Sequence, residues 1–256
     1  MTECAVITGA GSGIGRSLAI ELCKRAIPVI GVGRRQSALE ETGRLVRAAG
    51  REGFHAVPAD LGTAQGRQQV GDAVGKNTKV RFLVHLAGVF PIERFEDVTQ
   101  EGLRQAIAIN VEARLFLTQL LLDRLAPRSR ILFVKSGASE RPRIGCIQVC
   151  VSMAASFMLQ RCFTLEFQKR GILVSSTKPG FVQTEMMDTA LSATADVFPD
   201  IDAIRASPMI SAETCARYVT WLLNATSDAE FAKDTWNIED ESHHRFWLKG
   251  EPLHMS

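Results

Sequence analysis

The stretch TGAGSGIG, Thr8 to Gly15, follows the apolar run CAVIT and leads into a helical pattern that starts at about Ile14. A turn this rich in glycine lets backbone N–H groups and the positive end of the following helix come close to a pyrophosphate, which a β-carbon would obstruct. Glycines alone are not specific, because tight turns use them for purely steric reasons. The strand-loop-helix setting favours the phosphate-binding reading. Outward from this loop, short apolar runs alternate with longer amphipathic segments. IPVIGVG precedes a helix around Ala38 to Ala49, and FHAVPAD, VRFLVHLAG, RILFVKS and ILVSSTKPG follow. Such alternation predicts crossover connections and an α/β, doubly wound parallel sheet with helices on both faces. The strands read as continuously apolar, as strands covered on both sides should.

Two longer helices are predicted at about Gln100 to Leu125 and Val149 to Lys169, the first carrying the stripe Leu103, Ile107, Val111, Leu115, Leu122. There is no internal repeat, low-complexity tract or linker, so residues 1–256 read as a single Rossmann-type domain. From Thr184 to Ser211 the regularity weakens between Pro199 and Pro208, and this stretch is expected to be a substrate flap or a broken helix pair. The tail from His243 onward has no strong period and reads as solvated. Adjacent His243 and His244 diverge, with no carboxylate or cysteine at ligand spacing, so no metal site is expected.

Hydrophobic residues make up 46% of the chain, charged residues 23%, and the net charge is +2, which excludes a disordered chain and does not favour nucleic acid. Six cysteines without a Cys-x-x-Cys pair are expected to be reduced and mostly buried. The first apolar run begins at Cys4, which leaves no space for a leader, and no uncharged segment reaches the length of a membrane span. A cytoplasmic protein is expected, with no membrane partner.

The spacing of Gly9, Gly11, Gly13 and Gly15, with Ser12 and Ile14 between them, resembles the short-chain dehydrogenase/reductase family. Further marks follow in order. Leu86, Ala87 and Gly88 resemble the end of the family's Asn-Asn-Ala-Gly, with His85 and Leu86 in place of the two asparagines. Asn110 in INVEA matches the asparagine that holds a helix kink and a proton-relay water, and Ser136 matches the catalytic serine. KPGFVQTEM resembles the Pro-Gly-x-x-x-Thr loop through Pro179, Gly180, Val182 and Thr184. The resemblance implies a dinucleotide cofactor, a small carbonyl or alcohol substrate, and a homodimer or homotetramer built on the two long helices. Phe116, Phe157 and Phe163 are consistent with that assembly.

At the end of the second strand a carboxylate would accept hydrogen bonds from ribose hydroxyls and select NAD. This chain has Gly33, Arg34, Arg35 instead. With no acid to repel a 2′-phosphate and an arginine able to grip it, NADP(H) is expected in preference to NAD(H). Asp60 and Leu61 in PADL resemble the family's adenine contact, although Asp60 could equally cap a helix.

The family's proton donor is a tyrosine about a dozen residues after the serine, helped by a lysine one helical turn on that lowers its pKa from about 10. Here the alignment places Val149 thirteen residues after Ser136, and Met153 four residues later. Neither can exchange a proton. Tyr218, far downstream, is the single tyrosine, and no Tyr-x-x-x-Lys occurs. Losing a positioned acid removes about 10²- to 10⁴-fold in rate. Cys146 and Cys150 read as apolar filler, Lys135 as pointing to the opposite face of its strand, and His85 as packing more readily than relaying. Two functions therefore stand: an NADP(H) oxidoreductase with impaired hydride transfer, and a catalytically inactive pseudoenzyme that senses nucleotide or binds a protein partner.

Overall fold

The structure, a computed structural model, describes residues 3–255. Seven parallel strands form one sheet in the order β3-β2-β1-β4-β5-β6-β7. They are β1 (Glu3–Thr8), β2 (Val29–Gly33), β3 (Phe54–Pro58), β4 (Lys79–His85), β5 (Leu125–Val134), β6 (Leu173–Lys178) and β7 (Thr235–Asn237). Sequence order reverses between β1 and β4, which run side by side with Thr8 opposite His85. At such a reversal the connections leave in opposite directions and open a crevice at the carboxyl ends of the strands.

The helices are α1 (Gly13–Lys24), α2 (Gln36–Ala48), α3 (Ala64–Val74), α4 (Gln100–Ile107), α5 (Ala113–Leu120), α6 (Ile147–Phe167), α7 (Glu185–Leu191), α8 (Ile201–Ala206) and α9 (Ala212–Asn224). Short helices α10 (Asp228–Phe231) and α11 (His244–Trp247) follow. One core, against α1, α2 and α9, collects Leu18, Leu22, Leu39, Val219 and Leu222; the other, against α3, α5 and α6, collects Val70, Leu117, Phe133 and Phe163. Both faces of the sheet are thus covered, as the apolar strands require. The helix predicted as continuous over 100–125 is instead interrupted by a π-turn at Ala108–Glu112. No helix among the described residues is long and apolar enough to cross a membrane.

The tail corrects the sequence reading. His243 is buried, its Nε2 3.0 Å from the Asn237 carbonyl, while the Trp247 indole N–H donates to its Nδ1 at 2.9 Å. Tyr218 stacks on His243, and Trp221 and Trp236 pack beside it. The segment lacks a period because α11 is a single turn, too short for a stripe to show, yet its aromatics close the end of the core. His85 is likewise buried, with Nε2 3.0 Å from the Thr118 hydroxyl and its ring against Phe133.

Burial, with the nearby charge of Arg114 for His85, holds the pKa of His85 well below the usual histidine value and that of His243 below it. A folded state that resists protonation loses stability as pH falls through the unfolded value of about 6.5, because the unfolded chain takes up protons that the native one refuses. The melting temperature is therefore expected to drop between about pH 7 and pH 5, before the carboxylates titrate. Thermal melts across that window check it, and a flat profile would contradict it.

Candidate functional site

A cleft of about 260 Å³ opens where β1 and β4 diverge. Thr8 is buried just behind it. Its hydroxyl donates to the Val84 carbonyl and accepts from the N–H groups of Leu86 and Ala87 at 2.9 and 3.0 Å, fastening the two strand ends together. Above it the glycine loop is tightly folded. Gly9 has φ +75°, and a β-carbon on Gly15 would lie 2.2 Å from the Gly9 carbonyl oxygen, so the loop and the first turn of α1 can approach only without a side chain at residue 15.

Two residues that the sequence reading missed brace this loop from behind. Arg16 donates to the Gly11 carbonyl and, through Nε, to the Thr42 hydroxyl at 3.2 Å; Thr42 in turn donates to the Ala10 carbonyl at 3.0 Å. Ser12 stands at the N-cap of α1 without forming a side-chain cap bond. The first N–H groups of that helix consequently keep their donors free. A loop clear of side chains, a helix end with unsatisfied donors and a positive dipole together fit a phosphate group.

Gly9, Gly11, Ser12, Gly13, Ile14, Gly15, Arg34, Arg35, Asp60, Leu61, Ala87, Gly88 and Thr184 all line the cleft. Val89, Ile109 and Met186 line it too; Ile109 and Met186 lie within INVEA and KPGFVQTEM, but none of the three was expected in the site. Pro179, Gly180 and Val182 do not line it, because Val182 is buried and bridges Ile210. Asp60 points one carboxylate oxygen at the N–H of Gly62, at 3.0 Å, and Thr63 rather than Asp60 caps α3. The two arginines differ. Arg35 is held by Glu185 of α7, Nη2 to Oε2 at 2.5 Å, across the cleft mouth. Arg34 is exposed and has no hydrogen-bond or ion-pair partner among the described residues.

Past Val89 the chain enters an apolar cluster against which Phe90 and Ile92 pack. Val149 is 0% exposed and Met153 8%, and they pack with Ala138, Cys146, Phe198, Ile201 and Ile204. The segment 184–211 folds as α7 and α8 with a turn between, and α8 supplies Ile201 and Ile204 to this cluster. Desolvation pushes the Cys146 thiol up to about 11, so it is filler there and no acid. Ser136 is half-buried and accepts from the Ala138 N–H at 3.2 Å as the cap of a short 3₁₀ turn. Asn110, in the π-turn, is fully engaged. Its Oδ1 accepts from the Val89 N–H at 3.0 Å, and its Nδ2 donates to the Val89 carbonyl and to Ser152 Oγ.

Lys135 is turned away from the cleft, donating to Glu140 at 2.9 Å and lying over the Phe157 ring. Tyr218 accepts a hydrogen bond from Thr177 in the core under α9, and burial raises its pKa.

Residues 3–195 match the family described as short chain dehydrogenase. D-erythrulose reductase from Gallus gallus is 30% identical over 185 residues, covering 71% of this chain and 72% of the relative. L-xylulose reductase from Mesocricetus auratus is 29% identical over 228 residues, 88% of this chain and 90% of the relative. A candidate NAD(P)-dependent gluconate 5-dehydrogenase from Beutenbergia cavernae, solved with NADP at low occupancy, superposes with a TM-score of 0.77 at 26% identity over 92% of this chain and 94% of its own. With the reversal between β1 and β4, the glycine loop and the π-turn at Asn110 all in the order that the match requires, the chain belongs to the short-chain dehydrogenase family.

Proposed function

We propose that this protein binds NADP(H) in the cleft at the β1–β4 divergence and does not carry out carbonyl reduction by the family's proton route. The carrying observation is the burial of Val149 and Met153 under Phe198, Ile201 and Ile204. A bound dinucleotide would supply a hydride. The chain's own residues supply no proton to accompany it, since Ser136 is a poor acid and Asn110 is committed to Val89 and Ser152. The protein then works as a nucleotide-binding module, and α7–α8 acts as a closed flap over the place where a small carbonyl or alcohol would enter.

Preference for the 2′-phosphate rests on Arg34, a free guanidinium on the rim with no acid opposing it. The Beutenbergia cavernae protein, alike in fold and 26% identical, carries NADP. Calorimetry is expected to show NADPH binding at least about tenfold tighter than NADH, as one charge-assisted contact provides. Arg34→Ala should erase most of that ratio, and Glu185→Ala, which releases Arg35, should widen it. Equal affinities for the two cofactors in the wild type would refute the preference.

The rival reading, turnover by another route, draws support from the two ketose reductases among the relatives. Steady oxidation of NADPH by erythrulose or xylulose, absent in a Gly13→Asp control, would favour it over the inactive module. Exposed apolar residues along α4 to α6, among them Leu103, Phe116, Val151 and Met158, support pairing of two copies through these helices.

A further inference from the structure

Arg114 is a cation that the fold buries without a counter-charge. It projects from α5, is 4% exposed, and donates from Nη1 to the Ser156 hydroxyl at 2.8 Å, with the Val134 carbonyl at 3.5 Å. Its Nε is buried without a partner. Burial alone draws its pKa down to about 10, with no carboxylate close enough to oppose the shift. An unpaired buried charge is costly, and besides the Ser156 hydroxyl and the Phe133 ring, 5.8 Å from Cζ, the protein brings no strong partner to this guanidinium. Arginine has donors only, and a completing group must therefore present acceptor oxygens.

The free side of the guanidinium shows where that group would lie. A β-carbon on Gly88 would stand 4.0 Å from Arg114 Nη2 and 3.1 Å from Asn110 Oδ1, and Gly88 is part of the cleft wall. Nη2 thus lies close behind the Gly88 main chain, which walls the cleft. Ser156, which holds Nη1, follows Met153 by three residues on the buried face of α6. Through Ser156, a positive charge from α5 is anchored on the same helix as Met153.

We propose that Arg114 takes over the cofactor-holding half of the missing lysine's work, offering Nη2 beside Gly88 to the ribose hydroxyl oxygens at the nicotinamide end of NADP(H). The proposal rests on the dinucleotide reading of the cleft given above. It restores binding and leaves the proton donor absent, because a guanidinium does not titrate near neutral pH. An arginine on α5 also explains how the lysine position on α6 could become an apolar packing residue while the glycine loop stays intact.

The test compares NADPH with 2′,5′-ADP, which carries the adenosine half alone, by calorimetry on the full chain. Arg114→Met is expected to weaken NADPH by about tenfold or more while changing 2′,5′-ADP by less than about twofold, and Arg114→Lys should recover part of the loss. Equal losses for both ligands, or no loss of NADPH, would overturn the assignment. Should Arg114→Met not fold by circular dichroism, Ser156→Ala decides. That variant frees Nη1 without burying a new charge, and a several-fold loss confined to NADPH supports the role while unchanged NADPH affinity refutes it. Wild-type protein that binds neither ligand would sink the nucleotide reading itself, an outcome distinct from the others.

Discussion

Replacing Val149 by tyrosine together with Met153 by lysine is expected to destabilise the protein by at least about 3 kcal/mol and to yield no carbonyl reduction. In a family member with an open site the same pair would complete the acid. Here Val149 has no exposed surface, and the ring would be driven into Phe198 and Ile201. Overpacking of this kind costs about 1 to 3 kcal/mol, and an ammonium placed among apolar side chains adds several more. Arg114, already present without a carboxylate, makes a second cation at Met153 less welcome still. Adding Phe198→Ala to the pair removes the side chain in the way, and the triple variant is expected to recover stability and show the first measurable NADPH oxidation with a ketose. Denaturant midpoints and cofactor absorbance read both effects. An active, stable double variant would show that the apolar cluster opens easily and that only the two side chains are missing.

Gly15→Ala is expected to abolish nucleotide binding and to cost about 2 to 4 kcal/mol, a large effect for one methyl group. The new β-carbon would fall 2.2 Å from the Gly9 carbonyl oxygen and 2.7 Å from its carbon, and backbone cannot rotate aside as a side chain can. The loop would have to lift from α1, separating the N–H groups that converge on the phosphate position. Gly50→Ala separates this clash from ordinary backbone strain. That residue has φ +69° with nothing within 4 Å of its β-carbon position, so its cost should stay near 1 kcal/mol, the penalty of the left-handed conformation alone. A Gly15→Ala protein as stable as Gly50→Ala, and still able to bind NADPH, would show that the loop is not tightly held.

Much of the site was legible because its signals are local. The glycine loop, Arg34 at the end of β2, Asp60 after β3 and Ala87–Gly88 after β4 are each fixed by position on a strand end, and parallel strands bring their carboxyl ends to one edge. Local reading failed where partners lie far apart in sequence. Arg35 matches Arg34 in type and neighbourhood, yet it pairs with Glu185, 150 residues away, and Arg34 does not. Arg16 reads as an ordinary helix residue until Thr42 and the Gly11 carbonyl are seen against it. His243, in a segment without periodicity, reads as solvated until Trp247 and Tyr218 enclose it.

By itself, the sequence determined the doubly wound sheet, the phosphate loop and the absence of a Tyr-x-x-x-Lys pair, since strand period, turn chemistry and residue identity are properties of short stretches. Only the tertiary structure decided what surrounds Val149 and Met153: α8 packs Ile201 and Ile204 onto them, while α5 brings Arg114 close to Gly88. The physical reason is that burial and charge pairing depend on which distant side chains the crossovers bring together, and no window of sequence contains both partners.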